Sequence, residues 1–398
     1  MPASPSTARA INDRLALQLL QQEGPLTAGQ LKTMTGLSRP TVADLVERLQ
    51  GSGLIQIVGE AGAERRGPNA RVYGIVADRA HLAALDVRTQ SVTVVVADLL
   101  GATLAEAALP IGSDTGTEPA VERAVALVER TAREAGAARL HSVGIGAPGL
   151  IDPVSGELRD TSGLPAWHRS LVAALQERLP ARVVVENETN LAAVAEKRLG
   201  VARDRDTFVF LWLGHGVGAA LFLDGRLRRG ASGGAGEIGF LPVPGTRGVP
   251  SAVDCEGGFH SLAGSGAICA LAAEYGIEAD GAQEPAAAAL VRAAVAAGHD
   301  EFLDALAGRL ALGAAAVAAV LDPGCVVLGG EVGHAGGAEL AARVESLLAP
   351  LSPLRTEVRA GALGGAGVLS GALITAREAA QEELFPPANR TGWATAAR

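Results

Sequence analysis

The chain of 398 residues predicts an α/β fold in two parts, an N-terminal winged helix-turn-helix over residues 11–78 and a two-lobed α/β body over residues 79–382. Three observations carry this prediction. Capped helix signals followed by a pair of strands occupy residues 26–76, a strand, turn, strand, turn, strand layout opens at His81 and recurs at Phe208, and helices alternate with apolar strands around those two copies.

In chain order, residues 1–10 are expected as a disordered tail, and the amphipathic run Ile11, Leu15 and Leu19 predicts the first helix of a three-helix unit. Thr27 with Gln30 three residues on has the form of a capping box, and Leu31 and Met34 supply the apolar face of the helix it starts. Gly36 ends that helix. Ser38 caps the next, Pro40 sits in its first turn without losing a hydrogen bond, and Val42, Leu45, Val46 and Leu49 make a core face. The opposite face, with Arg39, Thr41, Ala43 and Asp44, is free to enter a major groove, and the helix N-terminus lies nearest the phosphates. After Gly53 the chain turns β, and strands at 54–58 and 70–76 flank a polar, glycine-bearing segment with Arg65 and Arg66 at its tip, the layout of a wing. Double-stranded DNA is therefore the first partner to consider, with Ser38, Arg39 and Thr41 at the groove and Arg65 and Arg66 on the wing. The alternative is an ordinary helical hairpin beside a solvated charged loop.

Composition bounds the rest. With 48% hydrophobic and 19% charged residues the chain can bury a large core and fills two or three domains. Residues 1–80 hold nine Lys/Arg and seven Asp/Glu, net +2, so the remainder carries −11 of the overall −9. Attraction to DNA must then come from a few placed arginines, doubled by dimerisation. Three separated cysteines at 255, 269 and 325 make no disulfide framework and suit a reducing cytoplasm. Apolar runs are broken well short of about 18 residues, so neither a membrane span nor a signal peptide is expected.

The body opens with three strands over residues 82–109. A helix near 121–134, a strand at 142–147, a helix at 167–178, a strand at 182–185 and a helix after Asn190 follow, before the strand layout repeats from Phe208. This is an internal duplication. Two such units facing one another form a cleft, the usual place for a ligand in a two-lobed protein. Residues 383–398 are expected as a second disordered tail.

Six motifs in order carry a resemblance: GIGAPGLID (144–152), LPAW (164–167), VENETN (185–190), LGHGVGAAL (213–221), GGAGEIGF (233–240) and LDPGCVVLGGEVG (321–333). Together they resemble the ROK family of repressors and sugar kinases over residues 80–380, and the N-terminal winged helix matches the repressor branch, since the kinases lack one. The resemblance implies an actin-like, ribonuclease H-like body, a sugar site in the cleft lined by Asn187, Glu188 and Glu237, and a homodimer or tetramer.

Departures from the family pattern point away from catalysis. The kinases open their first lobe with Asp-x-Gly-Gly-Thr, where glycines let backbone N–H groups approach the ATP phosphates; here the stretch is Asp86-Val87-Arg88-Thr89. The second phosphate turn keeps Gly214, Gly216 and Gly218, and Gly329-Gly330 resembles the adenosine-side motif, although tight turns alone account for such glycines. The family's catalytic base is the Asp of an Asn-Asp pair, and this chain has Asn187-Glu188, one methylene longer. Of the family's zinc ligands only Cys255 remains, with His260 nearby, too few for a closed tetrahedral site. Cys269 and Cys325 read as small buried hydrophobes. Asn187 and Glu237 are retained as sugar contacts, but Gly163, Phe240 and Ser261 stand where the family places Asn, His and Glu. Arg88 reads as a surface arginine or as a partner for an anionic group. The resulting expectation is a repressor of carbohydrate genes, responsive to a carbohydrate or sugar-phosphate effector, with no catalytic residue, cofactor or metal. Its alternatives are an ATP-dependent sugar kinase with an appended DNA-binding domain and a repressor whose C-terminal region only dimerises.

Overall fold

The computed structural model describes residues 5–61, 69–112, 114–159, 166–251, 254–279 and 285–385. Its N-terminal head consists of α1 (Pro5–Gln22), β1 (Leu26–Thr27), α2 (Ala28–Thr35), α3 (Arg39–Gly51), β2 (Ile55–Ala61) and β3 (Ala70–Ile75). The caps form as the sequence predicts. Thr27 and Gln30 make both bonds of the capping box, Gly36 closes α2 in the left-handed conformation at φ 70°, and the Ser38 side chain accepts from the Thr41 N–H. β1 inserts beside β3, giving a three-stranded sheet in the order β1-β3-β2, a two-residue strand too short to leave a periodic signal.

Two expectations about the head change. Residues 5–10 belong to α1 rather than to a tail, with Pro5 at the helix start where its missing N–H costs nothing. The helix also faces the other way. Ala16, Leu17 and Leu20 enter the core, whereas Ile11 and Leu15 are 46% and 37% exposed. Arg48 on α3 explains the rotation, because its Nη2 donates to the buried Asp13 carboxylate at 2.6 Å and so turns the 13, 16, 17, 20 face inward. A periodicity counted on apolar residues alone passes over Asp13.

The body is a duplication in space as well as in sequence. In the first lobe β4 (His81–Arg88), β5 (Ser91–Asp98) and β6 (Thr103–Pro110) form an antiparallel meander, and β7 (Leu140–Ala147) and β8 (Arg182–Asn187) continue the sheet in parallel, in the order β6-β5-β4-β7-β8. α4 (Thr117–Glu134) and α5 (Trp167–Arg178) make the crossovers, and α6 (Glu188–Arg198) leaves the last strand. The second lobe repeats this with β9 (Phe208–Leu213), β10 (Val217–Leu223), β11 (Arg226–Arg228), β12 (Cys325–Gly329) and β13 (Glu357–Ala360), in the order β11-β10-β9-β12-β13. Its crossovers are longer: α7 (His260–Ala263), α8 (Ser265–Glu274), α9 (Ala286–Ala297) and α10 (Asp300–Leu321) precede β12, and α11 (Gly330–Leu348) precedes β13. By length and composition α10 could cross a membrane; here Phe302, Leu306 and Leu310 bury it in the second lobe's core.

α12 (Gly367–Leu384) ends the fold and is the counterpart of α6. The two helices cross at backbone contact, for a Cβ at Gly371 would stand 2.0 Å from the Leu191 carbonyl oxygen. Beyond this crossing, α12 delivers Ala376, Ala380 and Phe385 into one apolar core with Leu17, Leu20 and Tyr73 of the head and Leu82 and Leu99 of the first lobe. Residues 383–385, expected in a tail, therefore belong to the fold. The helix continues to Leu384, and Phe385 is 2% exposed within the core that joins the head, the first lobe and the end of α12.

Candidate functional site

The structure offers two sites, the outer face of α3 and the cleft between the lobes. On α3, Arg39 is exposed in the first turn, beside exposed Ala43 and Asp44. Ser38 and Thr41 are less free than the sequence suggests. The Ser38 hydroxyl caps the helix, and its Oγ lies 2.8 Å from Thr41 Oγ1, so each hydroxyl already has an internal partner. Asp44 pairs with Arg48, which also holds Asp13. β2 and β3 form the stem of the wing, and Arg65 and Arg66 lie outside the described residues.

At the cleft, β4 carries Asp86 and Arg88 at its C-terminal end. Arg88 is half-exposed, yet its guanidinium is engaged on three sides. Its Nε donates to Asp86 Oδ2 at 2.9 Å, its Nη1 to Glu331 Oε1 at 2.7 Å across the cleft, and its Nη2 to the Gly365 carbonyl at 3.2 Å. Glu331 belongs to the first turn of α11 and reaches both glycine turns, since a Cβ on Gly214 would stand 2.9 Å from its Oε2. Burial raises the Asp86 carboxyl above its ordinary pKa, and the Arg88 guanidinium opposes that rise.

Asn187 caps α6, which begins at Glu188 rather than after Asn190. Its Oδ1 accepts from the Thr189 and Asn190 N–H groups at 2.9 and 3.3 Å, and its Nδ2 donates to the Gly149 carbonyl and to Glu188 Oε2, both at 3.0 Å. This asparagine builds the floor of the site. Burial pushes the Glu188 carboxyl up to about 8, with Asp86 and Glu237 raising it further and Arg88 opposing them. Glu237 behaves differently from both. Backbone N–H groups around it bond to carbonyl oxygens, as Ile238 does to Gly236 at 2.7 Å, and its carboxylate has no hydrogen-bond or ion-pair partner among the described residues.

Sequence reading passed over one pair. Glu186, 5% exposed, accepts from Arg229 Nε at 2.6 Å, from Asn190 Nδ2 at 2.9 Å and from its neighbour's backbone N–H at 3.0 Å. Arg229 follows β11 in the second lobe, so this is a further charged bond between the lobes. Glu186 was visible inside VENETN, but nothing local announces an arginine 43 positions away. In the old zinc loop, burial raises the Cys255 thiol and lowers His260, and no group of three or more His, Cys, Asp or Glu that could hold a metal occurs among the described residues. Cys269 is half-buried and Cys325 is fully buried, its thiol raised to about 11 by burial.

Residues 82–379 match the sequence model of the ROK family. The chain belongs to that family. Residues 9–56 match a winged helix-turn-helix DNA-binding domain, as the head's geometry requires. Among relatives of this ROK protein are the xylose repressor of Caldicellulosiruptor bescii, 25% identical over 239 residues covering 59% of each chain, and the DNA-binding transcriptional dual regulator NagC of Escherichia coli K12, 27% identical over 243 residues covering 59% of this chain and 58% of that one. The matched stretch thus spans under two thirds of either relative. A crystal structure of a ROK family transcriptional regulator, a homologue of the E. coli MLC protein, superposes with a TM-score of 0.75 at 21% identity and covers 95% of this chain and 98% of its own. That likeness extends the shared fold across head and body together.

Proposed function

We propose that this ROK protein is a transcriptional repressor of carbohydrate genes, that a sugar-like effector in the cleft alters its operator affinity, and that it does not phosphorylate sugars. The observation that carries this reading is continuity: β4 and α12 each run from the apolar core shared with the DNA-binding head to the cleft, where they end beside Arg88 and Gly365. A ligand that shifts one lobe against the other acts on the same two elements that seat the head. Relief of repression requires the ligand to prefer the arrangement that binds DNA poorly, and DNA must weaken the ligand reciprocally, typically by about 1–3 kcal/mol. Two heads in a dimer or tetramer fit a pseudo-palindromic operator, with Arg39 in the major groove and the wing arginines on phosphates.

Against kinase activity stands the chemistry of the phosphate turns. A carboxylate, Glu331, lies where a nucleotide's phosphates would meet both turns, and the longer Glu188 replaces the family's base. The test is operator affinity, on a site selected from random DNA, with and without each member of a sugar library, repeated in Glu237→Ala and Asn187→Ala. Parent-like responses in both variants would remove the effector from the cleft, and sugar-dependent ATP consumption abolished by Glu188→Gln would restore the kinase reading.

A further inference from the structure

We propose that Asp44 reads a cytosine in the major groove, so that each half-site of the operator contains a C·G pair specified by this carboxylate beside the position contacted by Arg39. This rests on the reading of α3 as the recognition helix and names a determinant of its sequence preference.

The outer face of α3 is sparse. Between Arg39 in the first turn and Glu47 in the third, the exposed Pro40 and Ala43 side chains carry no hydrogen-bonding group and are short enough to let the helix sit close to bases. Asp44 is the polar side chain in the middle of that face, and its orientation is fixed. Arg48 Nη1 donates to Asp44 Oδ2 one turn back, while Arg48 Nε and Nη2 donate to the two carboxylate oxygens of Asp13 at 3.3 and 2.6 Å. The Asp13 side chain is only 10% exposed, so the guanidinium is anchored on α1 and holds Asp44 against a fixed support. Asp44 itself is 57% exposed, and its Oδ1 has no hydrogen-bond partner among the described residues. The head therefore presents one oriented acceptor, and no donor, to whatever lies against the second turn of α3.

That chemistry selects a base. The donors in the major groove are the amino groups of cytosine and adenine; guanine shows two acceptors there, and thymine one acceptor and a methyl group. A carboxylate is repelled by the guanine and thymine edges. The adenine amino group lies between two acceptors, its own N7 and the thymine O4, whereas the cytosine amino group has an acceptor, the guanine O6, on one side only. Cytosine is thus the base that gives Asp44 a donor with least repulsion. Five residues separate Arg39 from Asp44, about 7.5 Å of helix rise or roughly two base-pair steps, so the two contacts fall close together in one half-site. Repulsion between Asp44 and the phosphates weighs on all sequences alike, and only a site with the cytosine offsets it, which widens the gap between specific and non-specific binding.

The experiment selects binding sites from random duplex DNA with the full chain and with its Asp44→Ala, Asp44→Asn and Arg39→Ala variants, then measures affinity on the selected site and on an unrelated duplex. The parent is expected to enrich a C·G pair within about three base pairs of the position that Arg39→Ala relaxes. Asp44→Ala should lose that C·G preference alone, bind the selected site at least about fivefold more weakly and bind the unrelated duplex more tightly. Asp44→Asn supplies an amide that pairs with adenine through N6 and N7, and is expected to switch the preference at that position to A·T. Both Asp44 variants selecting the parent's site overturn this inference, as does a change confined to a position that is not C·G in the parent, or an Asp44→Asn variant that keeps the cytosine at full strength. If Arg39→Ala alters the site in any of these cases, α3 stands as the recognition helix and only the part assigned to Asp44 falls. A parent that enriches no sequence removes the DNA-binding reading and this inference with it. Should a variant not fold, the parent decides, since replacing the C·G pair in its own site must cost at least about fivefold.

Discussion

Phe385 is the residue on which the link between head and body can be tested with a single change. Its ring is 2% exposed in a core that draws on the head, the first lobe and α12. Burying a phenylalanine side chain is worth about 2–3 kcal/mol in transfer alone, and Phe→Ala in a packed core costs about 3–5 kcal/mol once the cavity is counted. Partial collapse of the surrounding side chains fills some of the space, so Phe385→Ala should cost about 3 kcal/mol, taken from the docking of the head rather than from either lobe. A loss of that size is roughly a hundredfold in the head's docking equilibrium, because each 1.4 kcal/mol is tenfold. Native-state amide exchange reads it directly. Protection in α1, α2 and α3 should fall while β9 and β12, buried in the second lobe, keep theirs, and the response of operator affinity to effector should shrink. Unchanged exchange in the head, with a full effector response, would refute the claim that α12 seats the head.

Three further outcomes are expected. Arg39→Ala should weaken operator binding by about 1–3 kcal/mol and relax preference at one base position if Arg39 reads a guanine, as a binding-site selection on parent and variant would show. Ser38→Ala removes the N-cap of α3 and should lower the head's stability by about 1 kcal/mol, measured by denaturant melting, with operator affinity falling in step. Glu188 gives a pH signature with a definite sign: its folded-state pKa of about 8 lies above the unfolded carboxyl's, so the native state retains a proton that the unfolded chain releases, and stability falls as pH rises from about 4.5 to about 8. Glu188→Gln should remove that fall, and its advantage over the parent should grow to about 1–3 kcal/mol at pH 8 after allowance for solvent in the cleft; equal stability curves for the two proteins between pH 5 and pH 8 would rule it out.

What was legible in the sequence is what neighbouring residues decide among themselves. The Thr27–Gln30 capping box, the Ser38 cap and the helix stop at Gly36 are local hydrogen-bond solutions, and each forms in the structure. The duplicated strand layout is legible because its strands are short apolar runs bounded by turn residues, β4, β9 and β12 being buried along nearly their whole length. Illegible were the contacts that join distant segments. Arg48 to Asp13 spans 35 positions and rotates α1; Arg88 to Glu331 spans 243 and converts an apparent surface arginine into a strap between lobes. At the cleft, the sequence does not show that the Glu237 carboxylate is unpartnered, because whether a glycine-loop carboxylate caps its own backbone is decided by the backbone angles of the loop. Asn187 was found with a different task, since the sequence placed the start of α6 three residues late.

The geometry also limits how a ligand could be felt at the DNA. α12 spans about 27 Å at 1.5 Å per residue, and at its crossing with α6 two backbones touch with no side chain between them, so there is no rotamer there to absorb a displacement. β4 is similarly constrained, hydrogen-bonded on both edges to β5 and β7. A change in lobe angle at Arg88, Glu331 and Gly365 therefore passes along both elements as a rigid movement instead of fading through local repacking. Its far end is the pocket around Phe385, Leu82 and Leu17, and that pocket sets the orientation of α1 and, through Asp13 and Arg48, of α3. On the proposed reading, effector and head need no contact. That reading requires only that closure around a sugar and the separation of two recognition helices in an oligomer be set by the same pair of rigid elements.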